Sequence, residues 1–297
     1  MKQYIYTIIL ALSVLTMVTS CVKDKLYLLP EEDEDFYDPN AWKQAELTVN
    51  TIWKETDIIA PPENGYLIDL NGKTYETNNA TYNWRRIIAG DYSVFAYNNP
   101  RGVTIDENFI ATVNKESDGT FMRMPEFLYS SQVEHVKILR NSASQVDLNM
   151  HQLIHELVIN IYMWPGDEDF VSNITGTLNG VIDSVNLLTF EKGTEVGEIL
   201  MPMTLIYKEY DGQEEDLIGK ETPVYQAVVR FVDLIEVEDG QLAFDVTYAD
   251  GTTQTFRASL KPDMTLAEFD FFVRETGGMG ATIIDWHDID NGEIIVR

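Results

Sequence analysis

Apolar and polar residues alternate over much of this chain. Ala45, Leu47, Val49, Thr51 and Trp53 are interleaved with Gln44, Glu46, Thr48 and Asn50, the period-two signature of a half-buried strand. Asp91–Tyr97 reads the same way, with aromatic residues on both faces. Further rows are Leu157, Ile159, Ile161 and Met163, then Met201, Met203, Leu205 and Tyr207, then Tyr225, Ala227, Val229 and Phe231. Between these runs stand Asn64-Gly65, Asn71-Gly72, Asp118-Gly119, Asn179-Gly180, Asp211-Gly212, Asp239-Gly240 and Asp250-Gly251. Asn and Asp tolerate the left-handed region and Gly adopts it freely, so each pair predicts a hairpin turn. Helical periodicity is nearly absent. Thr265-Leu266-Ala267-Glu268 has capping-box spacing ahead of Phe269–Val273, and helix and strand both stay open there.

One hairpin can be put in register by parity. Leu242, Phe244, Val246 and Tyr248 share a face, and so do Phe256, Ala258 and Leu260. Both rows are even-numbered, so opposed partners must have an even sum. A two-residue Asp250-Gly251 loop would set Phe244 against Arg257. A three-residue loop, Ala249-Asp250-Gly251, pairs Phe244 with Phe256 and Leu242 with Ala258. It predicts a type I turn with Gly251 left-handed in a G1 bulge.

Many short strands with regular turns predict β-sandwiches, and the length accommodates two. The boundary is placed near residues 145–155, between the irregular stretch Ser130–Ser144 and the strong strand Glu156–Met163.

The N-terminus follows a different pattern. After Met1-Lys2-Gln3, the run Tyr4–Val18 is almost wholly apolar and uncharged. That suits a secretory h-region and is short for a membrane span. Val18-Thr19-Ser20 then puts small residues before Cys21, the only cysteine of the chain. The arrangement looks like the lipobox of bacterial lipoproteins, in which the thiol is joined to a diacylglycerol before cleavage. Stable anchoring needs at least two acyl chains, and a lipoprotein carries two or three, so Cys21 would suffice as the anchor. Residues 22–41 contain Pro30, the run Glu31-Glu32-Asp33-Glu34-Asp35 and Pro39. A like-charged run self-repels and extends, which predicts a tether. The expected division is therefore a signal peptide over 1–20, a lipidated acidic tether over 21–41, an N-terminal β-sandwich over 42–150 and a C-terminal one over 151–297.

Composition narrows the partners. About 277 residues would remain after processing, 44% of the chain is hydrophobic and 11% aromatic, so a sizeable core is affordable. With Cys21 lipidated no internal disulfide could form, and stability would rest on packing. The chain has 49 acidic and 21 basic residues, a formal net charge of −28. Such a surface repels phosphate backbones, which argues against nucleic acid as a partner.

Candidate chemistry is sparse. His151 and His155 stand four apart and are followed by Glu156. On a helix that spacing would aim two imidazoles from one face at a metal, but the order is not H-E-x-x-H and the following residues read as strand. A structural or surface role is the expectation. Asp285–Glu293 resembles a calcium loop, yet counted from Asp288 the glycine falls at the fifth position where an EF-hand needs it at the sixth, and a turn at Asn291-Gly292 is the better reading. Gly277-Gly278-Met279-Gly280 lacks the Lys-Ser/Thr of a phosphate loop, and no G-x-S-x-G occurs. No carboxylate pair stands out as a glycosidase pair. Tryptophans 42, 53, 84, 164 and 286 could stack on sugars, although core filling is the commoner use. No cofactor, metal or catalytic residue is expected.

Taken together, the chain resembles the fimbrillin-like lipoproteins, the minor or anchor subunits of type V fimbriae. The resemblance is a pattern over most of the mature chain: Cys21 with its acidic tether, the strand Ala45–Trp53, the stretch Ile88–Asn98, the strand Glu156–Met163, and Ile174–Gly180. It implies an all-β fold of two tandem transthyretin-like (Ig-like) β-sandwich domains. It also implies a non-enzymatic role in building or anchoring surface fibres, from a lipid-anchored position on the outer membrane. In that family stalk subunits mature by cleavage after an arginine ahead of the first domain. Here no arginine precedes Arg85, which favours an anchor or accessory subunit over a polymerising one. The partners would be other fimbrial subunits, joined by strand pairing. The competing reading is a surface glycan-binding lipoprotein of a nutrient-uptake system, which a flat platform of exposed aromatics would distinguish.

Overall fold

The computed structural model describes residues 45–55, 60–164, 166, 168–210, 217–238, 240–260, 267–275 and 281–288; for Glu55, for 281–288 and for 267–275 apart from Phe271 the description is of backbone alone. In chain order the strands are β1 (Ala45–Glu55), β2 (Tyr66–Leu70), β3 (Lys73–Thr77), β4 (Thr81–Ile87), β5 (Gly90–Tyr97), β6 (Val103–Ile105), β7 (Ile110–Val113), β8 (Tyr129–Ser131), β9 (Glu134–Ile138) and β10 (Ala143–Gln152). They continue with β11 (His155–Met163), β12 (Val171–Ile182), β13 (Ser184–Asn186), β14 (Val196–Pro202), β15 (Thr204–Glu209), β16 (Glu221–Phe231), β17 (Leu242–Tyr248), β18 (Thr253–Ala258), β19 (Ala267–Glu275) and β20 (Ala281–Asp288). The fold is all-β, built as β-sandwiches, and among the described residues no helix is long and apolar enough to cross a membrane.

The first large sheet runs β3-β2-β5-β8-β10-β1-β4, with β9 beside β5. The alternation in β1 puts Ala45, Leu47, Val49, Thr51 and Trp53 in the core. Asn71-Gly72 makes the two-residue β2–β3 turn, with both φ angles positive (52° and 80°). The Tyr66 hydroxyl donates to the Asn79 carbonyl at 2.8 Å and lies 3.0 Å from Thr51 Oγ1, which also accepts the Trp53 indole N–H at 2.9 Å. Burial raises the Tyr66 pKa above its ordinary value, partly offset by the Thr51 bond.

The second half of the chain supplies two facing sheets, β15-β16-β11-β19-β20 and β14-β12-β17-β18. β11 is central in the first: Ile159 stands opposite Ala227 of antiparallel β16 and Phe269 of parallel β19. The apolar rows of β11 and β16 face the inner core with Ile174, Leu178, Phe244 and Phe271. Its other face is covered as well. Tyr162, Tyr210, Leu217 and Val224 form a smaller cluster, with Trp164 and Ile206 packed against it. A third sheet, β13-β7-β6, joins strands far apart in sequence: Val185 of β13 opposes Ala111 of β7. Beside it Phe109 and Phe190 take φ angles of 60° and 61°. These are strained for bulky residues. The Phe109 carbonyl accepts the Leu187 N–H at 2.9 Å, and its ring sits edge-on to Phe95 and Tyr97 at 4.9 and 5.7 Å.

By contacts, the described residues divide into a small unit (45–47, 83–90, 137–144) and a large one (48–82, 91–136 and the described residues from 145 on). In the large unit one apolar core holds Phe95, Val113 and Leu128 together with Ile159, Val229 and Phe244.

Several expectations are corrected. Ser130–Ser144 is not irregular: most of it belongs to β8, β9 and β10. The row Met201–Tyr207 breaks at Met203, where the chain leaves one sheet for the other. Asn179-Gly180 makes no hairpin; it is a bulge inside β12, where a Cβ on Gly180 would stand 2.6 Å from the Ile235 carbonyl oxygen. At Ala267–Glu275 the open choice resolves to strand β19, and Thr265 and Leu266 lie outside the described residues. The Leu242–Ala258 hairpin has the register that parity predicts, Phe244 opposite Phe256, with Gly251 at φ 83°.

Candidate strand-accepting edge

A sandwich leaves the lateral edges of its sheets unpaired, and such edges are either protected or used. β14 and β15 are consecutive in sequence and each is the edge strand of its sheet. The start of β14 is covered. The Phe121 N–H donates to the Glu198 carbonyl at 2.9 Å, and glycine at 197 leaves room for the Phe121 ring, which a Cβ there would approach to 2.6 Å. Lys115 reaches over that ring, 5.3 Å from its centre, and pairs with Glu195.

β15 is different. Its one strand partner among the described residues is β16, with Leu205 opposite Tyr225 and Tyr207 opposite Pro223. Leu205 and Tyr207 therefore share the face that continues as the inner core through Tyr225, Ala227 and Val229. They overhang the facing sheet, and Leu205 is 39% and Tyr207 56% exposed. On the other face Ile206 packs against the Tyr162–Tyr210 cluster, where the two rings meet edge-on at 5.0 Å. Tyr225 is pushed above its ordinary pKa chiefly by burial and secondly by Tyr207 nearby. Val196 and Leu200 of β14 are exposed as well, but they belong to the other sheet, on the side away from the buried Ile199 and Met201. Edge strands that avoid pairing carry charges, prolines or bulges; Leu205-Ile206-Tyr207 has none, and the charges of β15 are confined to its end, Lys208 and Glu209.

The residues singled out in the sequence are placed as follows. Cys21, Trp42 and Gly277–Gly280 lie outside the described residues, as do the last residues of the calcium-loop candidate. His151 is the penultimate residue of β10 and packs edge-on to Phe190 at 5.2 Å, while His155 opens β11 beside Phe231 at 6.3 Å. They stand on different strands, and among the described residues no three His, Cys, Asp or Glu side chains converge on a metal-sized site. Trp53 is buried, Trp84 and Trp164 are half-buried, and the side chain of Trp286 is not described. Tyr75 and Tyr82 adjoin with ring centres 6.1 Å apart, but their planes are inclined by 48° and form no flat platform. The row Met201–Tyr207 did contain the edge residues. Only the break at Met203, which separates buried from overhanging positions, was hidden.

No protein-family model and no curated protein matches the chain. Solved structures do. One from Bacteroides ovatus, described as a candidate adhesin, has a TM-score of 0.55 at 12% identity over 84% of this chain and 96% of that one. A second, from Bacteroides thetaiotaomicron and described among candidate polysaccharide-binding proteins, has a TM-score of 0.50 at 10% identity over 85% and 95%. The fimbrial anchor protein Mfa2 of Porphyromonas gingivalis is also matched, with a TM-score of 0.43 at 12% identity over 77% and 90%. The chain thus shares its fold with the first two of these structures.

Proposed function

We propose that this chain is a non-enzymatic, lipid-anchored cell-surface protein that serves as a fimbrial anchor or accessory subunit, and that it joins its partners by strand pairing. The observation that carries this reading is β15, an edge strand with Leu205 and Tyr207 exposed beside an open row of backbone groups. An extended segment laid along it gains main-chain hydrogen bonds and covers both side chains. Fully burying an exposed leucine is worth about 1.5–3 kcal/mol, and Leu205 and Tyr207, already partly covered, gain a fraction of that. The candidate adhesin description of the Bacteroides ovatus structure supports a surface role. Two tandem sandwiches over 42–150 and 151–297, and anchorage through Cys21 at the outer membrane, belong to the same proposal.

The test is genetic. Deletion of the gene, or Cys21→Ala, should shed fibres into the medium or change their length while the stalk subunit is still made. Labelled palmitate should enter the wild type and not Cys21→Ala. Unchanged fibres together with retention on a polysaccharide column would replace this reading with the glycan-binding one.

A further inference from the structure

β15 also specifies the chemistry of the strand it accepts. Along its overhanging face stand Leu205, Tyr207 and then Glu209, opposed on β16 by Tyr225, Pro223 and Glu221. The last pair sets two exposed carboxylates directly across from each other. Like charges in that position destabilise a sheet, and an opposite charge in the next strand of the row relieves them. Among the described residues neither carboxylate has an ion-pair partner. The neighbouring lysines do not fill that place. Lys208 stands opposite Thr222 on the other face, and Lys220 precedes β16.

We infer that β15 selects an extended polypeptide segment with two apolar residues and one lysine or arginine at successive alternate positions, the apolar pair covering Leu205 and Tyr207 and the cation facing Glu209 and Glu221. The spacing follows from strand geometry. Side chains on one face recur every second residue, roughly 6.6 Å apart, so a neighbour in register reads the row apolar, apolar, basic. A parallel segment carries the cation last and an antiparallel one carries it first. The chain's own charge of −28 adds to the preference for a basic end. The inference rests on the strand-pairing reading and adds a charge rule to it.

The test uses the full-length chain in detergent and dye-labelled peptides with alternating valine and threonine. These differ only at the last alternate position (Lys, Ser or Glu), and each is made in both directions. A fourth carries Lys but has alternate backbone amides methylated. By anisotropy at low salt, the Lys peptide should bind up to about fivefold more tightly than the Ser peptide, the range of a cross-strand charge pair. The Glu peptide should bind more weakly than either. E209Q/E221Q should bring the three affinities together without abolishing binding, and so should added salt. If Lys, Ser and Glu peptides bind the wild type alike, the charge rule is wrong and strand pairing stands. If none binds, or the methylated peptide binds as well as its parent, pairing at β15 is wrong and the charge rule falls with it.

Discussion

The guanidinium of Arg230 lies 3.8 Å from the centre of the Phe127 ring. Its Nε donates to Glu156 Oε2 at 2.8 Å, its Nη1 to the Pro125 carbonyl at 3.3 Å, and its backbone N–H to the Arg123 carbonyl at 2.9 Å. The side chain is 20% exposed, so the ion pair is only partly screened by solvent. One residue of β16 thus holds segment 123–127 by charge, hydrogen bond and ring face together. Arg230→Ala should destabilise the protein by about 2–3 kcal/mol in urea unfolding. Arg230→Lys keeps the charge but loses the planar fork, and should fall between. An unchanged urea midpoint in the alanine variant would show that the clamp contributes nothing.

The Tyr248–Thr252 turn supports a sharper comparison. Gly251 sits at φ 83° and donates its N–H to the Tyr248 carbonyl at 2.9 Å. Gly251→Val should cost about 1 kcal/mol or more, since a β-branched residue resists positive φ. Asp250→Asn should change stability far less at pH 7, because an amide oxygen can still accept the two Thr252 bonds. Equal effects from the two substitutions would contradict the turn.

Space as well as φ decides the cost at glycine. Gly119 has φ 91° with nothing within 4 Å of the place a methyl group would take, whereas Gly180 has φ 76° and the Ile235 carbonyl oxygen 2.6 Å away. Gly119→Ala should cost about 1 kcal/mol, and Gly180→Ala clearly more, about 2–3 kcal/mol. Thermal unfolding of both variants checks the order, and a reversed order would mean that the β12 bulge is misplaced.

Stability should also fall in acid through particular turns. Asp118 accepts the Thr120 hydroxyl at 2.7 Å and its N–H at 3.0 Å, and Asp250 does the same for Thr252 at 2.7 and 2.9 Å. In both, the threonine hydroxyl bond is the chief cause that lowers the carboxyl pKa, followed by the N–H bond. A depressed folded pKa contributes stability that is fully present above the unfolded value, about 3.9, and is lost as pH falls through the folded one. Between about pH 4 and pH 2 the wild type should therefore lose stability more steeply than D118N/D250N. Parallel curves over that range would rule these turns out as acid-sensitive points.

The hairpin at residue 251 and the rows of β1, β11 and β16 are legible in the sequence, because each depends on residues near one another along the chain. Period two puts one face inward, and the parity of two apolar rows leaves one loop length open. The bulge at Gly180 is not legible there. An Asn-Gly pair serves a turn or a bulge equally well, and the choice depends on Ile235 and on the partner strand β14, which lie far along the chain. The same holds for 130–144, whose short strands have weak alternation of their own and are set by neighbours such as β5.

What the sequence alone determined is the all-β class, the inward faces, the hairpin register and the acidic, cysteine-poor character of the chain, since these follow from local geometry and composition. Tertiary structure decided which strands became edges, the pairing of β7 with β13, the left-handed phenylalanines and the overhang of Leu205 and Tyr207. An apolar residue on a strand reads the same whether the facing sheet covers it or stops short. Only the long-range order of the strands makes that difference, and on it the candidate site depends.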